Sequence, residues 1–146
     1  MENTIVKESF KELTRKGTCV EFFSAYQEHE YSRMLTLFAP DATIEFSPLG
    51  DGGKGTVAEL GKTLWMALMD CFPDIDNTID TFETVDNTIV CKVNIFGTQA
   101  KDFAGIVSKG LKFENDHIFI FQFDDDDNVS SLTVDWDHDS FCQQLS

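Results

Sequence analysis

The sequence predicts an α+β domain with its helices first and an antiparallel sheet after them. Three observations predict it. Apolar residues recur at helical spacing between Cys19 and Cys71. From Ile75 to Asp135 the pattern changes to alternating strands broken by short polar turns. No internal repeat or linker interrupts the 146 residues, a length that suits one domain over 1–146. Helices followed by a run of strands mark α+β architecture with an antiparallel sheet.

Residues 1–17 are polar and weakly periodic, which reads as an irregular arm or a first helical turn. Beyond them, Cys19, Phe22, Phe23 and Tyr26 fall at i, i+3, i+4 and i+7, one face of a helix. Met34, Leu35, Leu37 and Phe38 give a second, short helix with Ser32 as its candidate cap. Ala39-Pro40-Asp41 ends it, because proline cannot continue the hydrogen-bond ladder. Ala42–Phe46 alternates as a strand. The glycine-rich run from Pro48 to Gly55 lacks the spacing of a phosphate loop and reads as a rim loop or lid.

Thr56 then caps a long helix whose face is Val57, Leu60, Leu64, Leu68 and Cys71, ended by Phe72-Pro73-Asp74. Asp86-Asn87 turns a hairpin between Thr78–Val85 and Thr88–Phe96. His117–Phe123 is an apolar strand with Phe119, Phe121 and Phe123 on one side. The acidic turn Asp124–Asn128 lacks the alternating ligands of a calcium loop, and its carboxylates are expected in water. Val129–Trp136 is the last strand, and 137–145 closes with a short helix.

Composition narrows the function classes. Apolar residues make up 42% of the chain, including 14 Phe, enough for an ordinary core. Net charge is −15, which repels phosphate backbones and anionic lipid, so neither nucleic acid nor a membrane surface is expected as a partner. No apolar run is long enough to span a bilayer, and Met1-Glu2-Asn3-Thr4 has no basic start of a secretion signal. The expected compartment is the cytoplasm. Cys19, Cys71, Cys91 and Cys142 show no short ligand spacing and sit among apolar neighbours, which favours buried free thiols.

The order of elements, with Phe38-Ala39-Pro40-Asp41-Ala42 and Phe72-Pro73-Asp74 at its joints, resembles the nuclear transport factor 2-like superfamily. Within it, three stretches resemble the SnoaL-like polyketide cyclases. They are Gly97-Thr98-Gln99 with Phe103-Ala104-Gly105-Ile106, Phe119–Phe123 before an acidic turn, and Trp136-Asp137 with Gln144-Leu145. The likeness runs from about Val20 to the end. It departs at Gln99, where the family usually has histidine, at Val107-Ser108-Lys109, which replaces a common Pro-Thr stretch, at Thr133, often tryptophan, and at Ser146, usually glycine.

The resemblance implies a cone-shaped curved sheet, packed by the N-terminal helices around an apolar pocket, and a homodimer formed through the outer face of the sheet. It implies cofactor-free chemistry on a small hydrophobic, polyketide-like carbonyl compound. A carboxylate removes a carbon-bound proton, and an intramolecular aldol addition closes a ring. That role falls on Asp137. Alternation along the last strand would set Asp135 on the same side, and Asp137 is equally placed to cap the helix that follows.

Gln99 is read either as a contact to a substrate carbonyl or as a strand-end residue facing water. Phe46, Trp65, Met69, Phe96, Phe113 and Thr133 are the remaining candidate contacts. The neighbours of Asp137, among them His138, and the distant His117 lack the spacing of a metal site, so no metal is expected. Lys92, in an otherwise apolar strand, either pairs with an acidic neighbour or lines the cavity. A non-catalytic binding or dimerisation module, and isomerase or epoxide-hydrolase chemistry, are the alternative readings of the same fold.

Overall fold

A curved, unclosed sheet of six strands organises the molecule, in the order β2-β1-β6-β5-β4-β3. The computed structural model describes residues 2–146. The elements in chain order are α1 (Glu2–Gln27), α2 (Tyr31–Leu35), β1 (Phe38–Phe46), β2 (Lys54–Thr56), α3 (Lys62–Cys71), β3 (Asp76–Val85), β4 (Thr88–Thr98), β5 (Lys112–Phe123), β6 (Val129–Trp136) and α4 (His138–Gln144).

Of the two readings of residues 1–17 the helical one fits, and over far more than one turn: α1 runs unbroken from Glu2. The signal was hidden because the helix has no core to face at 10–14: Phe10 and Leu13 are 72% and 67% exposed, and Arg15 is the first buried side chain after them. From Cys19 onward the expected face is buried, with Phe22, Phe23 and Tyr26 all against the sheet. Phe22 and Phe23 meet Phe119 and Phe121 edge-on or tilted at 4.9–5.9 Å, an arrangement that adds to the burial of four rings.

Arg15 fastens α1 to two turns. Its Nε meets Asp127 Oδ1 at 2.8 Å, Nη1 donates to Asn87 Oδ1, and Nη2 donates to the Asp124 carbonyl. The acidic turn is therefore only partly solvated: Asp127 pairs with a buried guanidinium, and the Asp124 carboxylate accepts the N–H groups of Asp126 and Asn128.

Four of the five strand pairings are antiparallel, as expected, but β1 lies parallel to β6. The β1–β6 register slips between Phe38 and Thr43. That irregular stretch is where Pro40 sits, at a point that needs no ladder donor. The glycine-rich segment forms a 3-10 turn over Ser47–Gly53 and the short strand β2. Ser32 caps nothing, since it lies inside α2, whose N-cap is Glu30, and the Glu30 side chain makes no capping bond to the helix backbone. Thr56 does cap the next helix, accepting from Glu59 N–H, and the first turn there is π-helical over Val57–Gly61.

Gly97 sits where β4 passes the turn after α3. A Cβ there would stand 3.3 Å from Ile75 Cα and 3.4 Å from Phe72 Cβ, closer than ordinary packing.

Candidate active site

The core is unevenly filled. Inward positions on β5 are the odd-numbered residues from Phe113 to Phe123. At Phe119 and Phe121 the α1 rings Phe22 and Phe23 occupy the space, and the Arg15 guanidinium lies over Phe123. Toward the other end Asn115 and His117 replace large apolar groups, and a cavity of about 210 Å³ remains beneath α3 and α4. Phe46, Trp65, Ile95, Phe113 and Val134 form its apolar wall, and Phe103 and Ala104 reach it from the loop after β4. Its polar lining is Tyr26, His117, His138 and the indole edge of Trp136, and among the described residues the wall carries no carboxylate.

His117 is 9% exposed. Its Nδ1 lies 3.2 Å from the Asn115 carbonyl, which can only accept, so Nδ1 carries the proton and Nε2 keeps its lone pair. Nε2 has no partner among the described residues. Burial is the chief cause that lowers this histidine from the usual 6.5 to about 4, against smaller opposing effects of the Asn115 carbonyl, Asp116 and Asp135. The imidazole is therefore a neutral acceptor at neutral pH.

Trp136 ties the second histidine to the first. Its indole stacks on His117, centroids 5.5 Å apart and planes 17° apart, and its Nε1–H donates to His138 Nδ1 at 3.2 Å. An indole N–H can only donate, so His138 carries its own proton on Nε2, which faces Cys142 Sγ at 3.5 Å. His138 lies flat on Phe141, and both line the cavity.

Of the residues singled out in the sequence, Phe46, Trp65 and Phe113 line this hollow. Met69 is buried but is not part of its wall. Phe96 and Thr133 are half-buried on the other side of the sheet, and Asp135 is exposed there. The reason is strand parity. β6 turns Leu132, Val134 and Trp136 inward, which sends Thr133 and Asp135 outward; a side-chain period of two allows nothing else.

Asp137 is also exposed. Its Oδ1 accepts the Ser140 N–H at 3.0 Å, so it caps α4 and stands outside the apolar hollow that would make it a base. Gln99 fits neither expectation, being 1% exposed and absent from the wall. Its Nε2 donates to the Lys101 and Ile106 carbonyls and so closes the loop that brings Phe103 and Ala104 to the rim. Lys92 faces solvent 4.0 Å from Asp116. The Gln144-Leu145 pair has a mechanical role. Gln144 accepts from Glu114 N–H and donates to Glu114 O, pinning α4 to β5, and Leu145 is fully buried.

Sequence reasoning gave His117 no catalytic part and treated Tyr26 as core. Both were readable as inward: His117 shares the odd parity of the β5 phenylalanines, and Tyr26 lies on the α1 face.

The family model for the SnoaL-like domain matches residues 20–131, and the chain belongs to that family. Its fold is shared by several solved structures. One is a candidate SnoaL-like polyketide cyclase from Jannaschia sp. CCS1, 14% identical over 92% of each chain with a TM-score of 0.80. Another is AclR, a candidate hydroxylase from Streptomyces galilaeus, 16% identical over 90% of this chain and 94% of that one, TM-score 0.78. A third is SalBIII, an epoxide hydrolase/cyclase-like enzyme of pyran ring formation, 16% identical over 88% and 95%, TM-score 0.71. No curated protein matches the sequence. No helix among the described residues is long and apolar enough to cross a membrane.

Proposed function

We propose that the chain is a cofactor-free carbon-acid enzyme of the cyclase type, acting on a small apolar carbonyl compound, with His117 as its general base. The observation that carries this reading is a neutral imidazole in the cavity wall, with Nδ1 committed to the Asn115 carbonyl and Nε2 free. Nε2 takes the proton from the carbon beside a carbonyl, and the C–H electron pair moves into that carbonyl to form an enolate. The enolate carbon attacks a second carbonyl carbon of the same molecule. The alkoxide so formed recovers the proton from the imidazolium, and no other reactant is needed.

Two properties of the hollow set the substrate class. At about 210 Å³ it lies below the roughly 300–1,000 Å³ of drug-sized sites, which suits one or two rings. A base lowered to about 4 by burial is weak, so it requires a carbon already acidified by its neighbours. The net charge of −15 favours a substrate that enters neutral. Copies of the chain pair through the outer face of the sheet, where Ile118 is 42% exposed beside half-buried Val90 and Ile120. Concentration-independent monomers in sedimentation would exclude that pairing.

The test is hydrogen–deuterium exchange at the acidic carbon of 2-tetralone, followed by NMR in deuterated buffer. Wild type should accelerate exchange over buffer, and His117→Gln should lose roughly 100-fold or more of that acceleration. Saturable 2-tetralone binding without any exchange would make the domain a binding module.

A further inference from the structure

Tyr26 is 2% exposed and lines the same cavity from α1, opposite the sheet. Its hydroxyl makes no hydrogen bond to any described residue. Three other buried polar side chains do find partners. Asn77 donates to the Phe23 carbonyl, Asn115 accepts from Gln144, and His117 uses Nδ1 on the Asn115 carbonyl. Among the described residues Gln99 Oε1 is sealed off without a partner; Tyr26 Oη is not sealed off in this way, so it still touches open space. That space is the hollow. Burial raises the phenol well above its ordinary range, which leaves it a protonated donor at any working pH. A buried hydroxyl without a partner is costly, and such a group in a cavity wall suits a ligand that supplies an acceptor.

We propose that Tyr26 Oη–H donates a hydrogen bond to the substrate's carbonyl oxygen and holds the enolate oxygen that appears as His117 takes the proton. This rests on the carbon-acid reading and adds to it the group that receives the charge. The balance is simple. The proton leaves carbon for His117 Nε2, the electron pair ends on oxygen, and the phenol keeps its own proton while its hydrogen bond strengthens. A donor aimed at developing charge in a water-poor site is the usual complement of a weak base. It would let an imidazole held at about 4 deprotonate a carbon that it could not deprotonate in water. The ligand is thus a carbonyl compound whose oxygen enters toward α1 and whose acidic carbon lies toward β5.

The test uses 2-naphthol, a bicyclic enolate mimic, beside naphthalene, which has the rings without the oxygen. Wild type should bind 2-naphthol more tightly than naphthalene, and affinity across ring-substituted naphthols should rise as the bound oxygen carries more negative charge. Tyr26→Phe should lose about tenfold or more in 2-naphthol affinity while naphthalene affinity stays within about twofold, which also shows that the variant is folded. In 2-tetralone exchange the same variant should lower kcat more than it alters KM.

Equal 2-naphthol affinity in wild type and Tyr26→Phe, with exchange still dependent on His117, would overturn the donor and leave the base in place. A Tyr26-dependent preference for 2-naphthol with no exchange activity would keep the donor and remove the enzyme. The slope across the naphthol series needs no variant, and a flat slope overturns the proposal by itself.

Discussion

His117 and Trp136 stand directly opposite one another on β5 and β6, with their rings stacked 5.5 Å apart at 17°. The pair is set by backbone register, and the indole N–H then fixes His138. One side chain therefore orients both histidines of the cavity. Trp136→Leu should lower 2-tetralone exchange by about tenfold or more, because a base loses efficiency when its angle is free. Trp136→Phe keeps a ring against His117 and should stay within about threefold of wild type. Equal losses in the two variants would show that the His138 hydrogen bond, not the stack, is what matters.

Stability should fall in mild acid because of His117. Its folded value, about 4, lies below the ordinary 6.5, so the unfolded chain takes up the proton first as pH drops. Stability from this group is complete above about 6.5, is lost between about 6.5 and about 4, and changes no further below that. The difference corresponds to about 3 kcal/mol over that window. Urea unfolding of wild type and His117→Gln at several pH values checks this: the variant should show a flatter slope.

Asp137 is a helix cap, and its removal should show as such. Asp137→Ala should cost about 1 kcal/mol of stability, as the Ser140 N–H loses its acceptor. Exchange activity of the folded variant should stay within about twofold of wild type. A folded Asp137→Ala protein that loses activity as completely as His117→Gln would restore the carboxylate to the chemistry.

Arg15 is the main polar tie between α1 and the sheet's far end. Arg15→Met should destabilise the protein by about 2–4 kcal/mol, since it leaves Asp127 without its cation and Asn87 without its donor. Much of that loss should reappear in a double-mutant cycle with Asp127→Asn. Additive losses would mean that Arg15 acts by packing over Phe123 rather than by its bonds.

Much of the fold was legible because its signals are local. The hairpin at Asp86-Asn87, the Thr56 cap and the bounds of β6 each follow from a few adjacent residues. The parallel β1–β6 pair was not legible, because its partners are separated by most of the chain and register leaves no local trace.

The site divides along the same line. Phe46, Trp65 and Phe113 were found because large apolar residues on inward faces are the walls of any hollow in this core. The polar residues were misassigned at a single point: the alternation of Thr133, Asp135 and Asp137 was recognised, but its face was reversed. Leu132, Val134 and Trp136 are the larger, more apolar set, and burying them is what turns the carboxylates outward. A histidine amid phenylalanines on β5 is then a titratable group left inside the hollow, and the base of the proposed reaction. Gln99 shows a different failure. Its role lies in two backbone carbonyls of a loop whose path cannot be read from composition.

Long-range proton–nitrogen NMR of the imidazoles, across pH and with 2-naphthol added, observes the proposed base itself. His117 should hold its proton on Nδ1, stay neutral until about pH 4, and change its Nε2 shift when 2-naphthol enters. An imidazole that titrates near the ordinary 6.5 and ignores the ligand would show that His117 neither sits in a dry hollow nor faces what binds there.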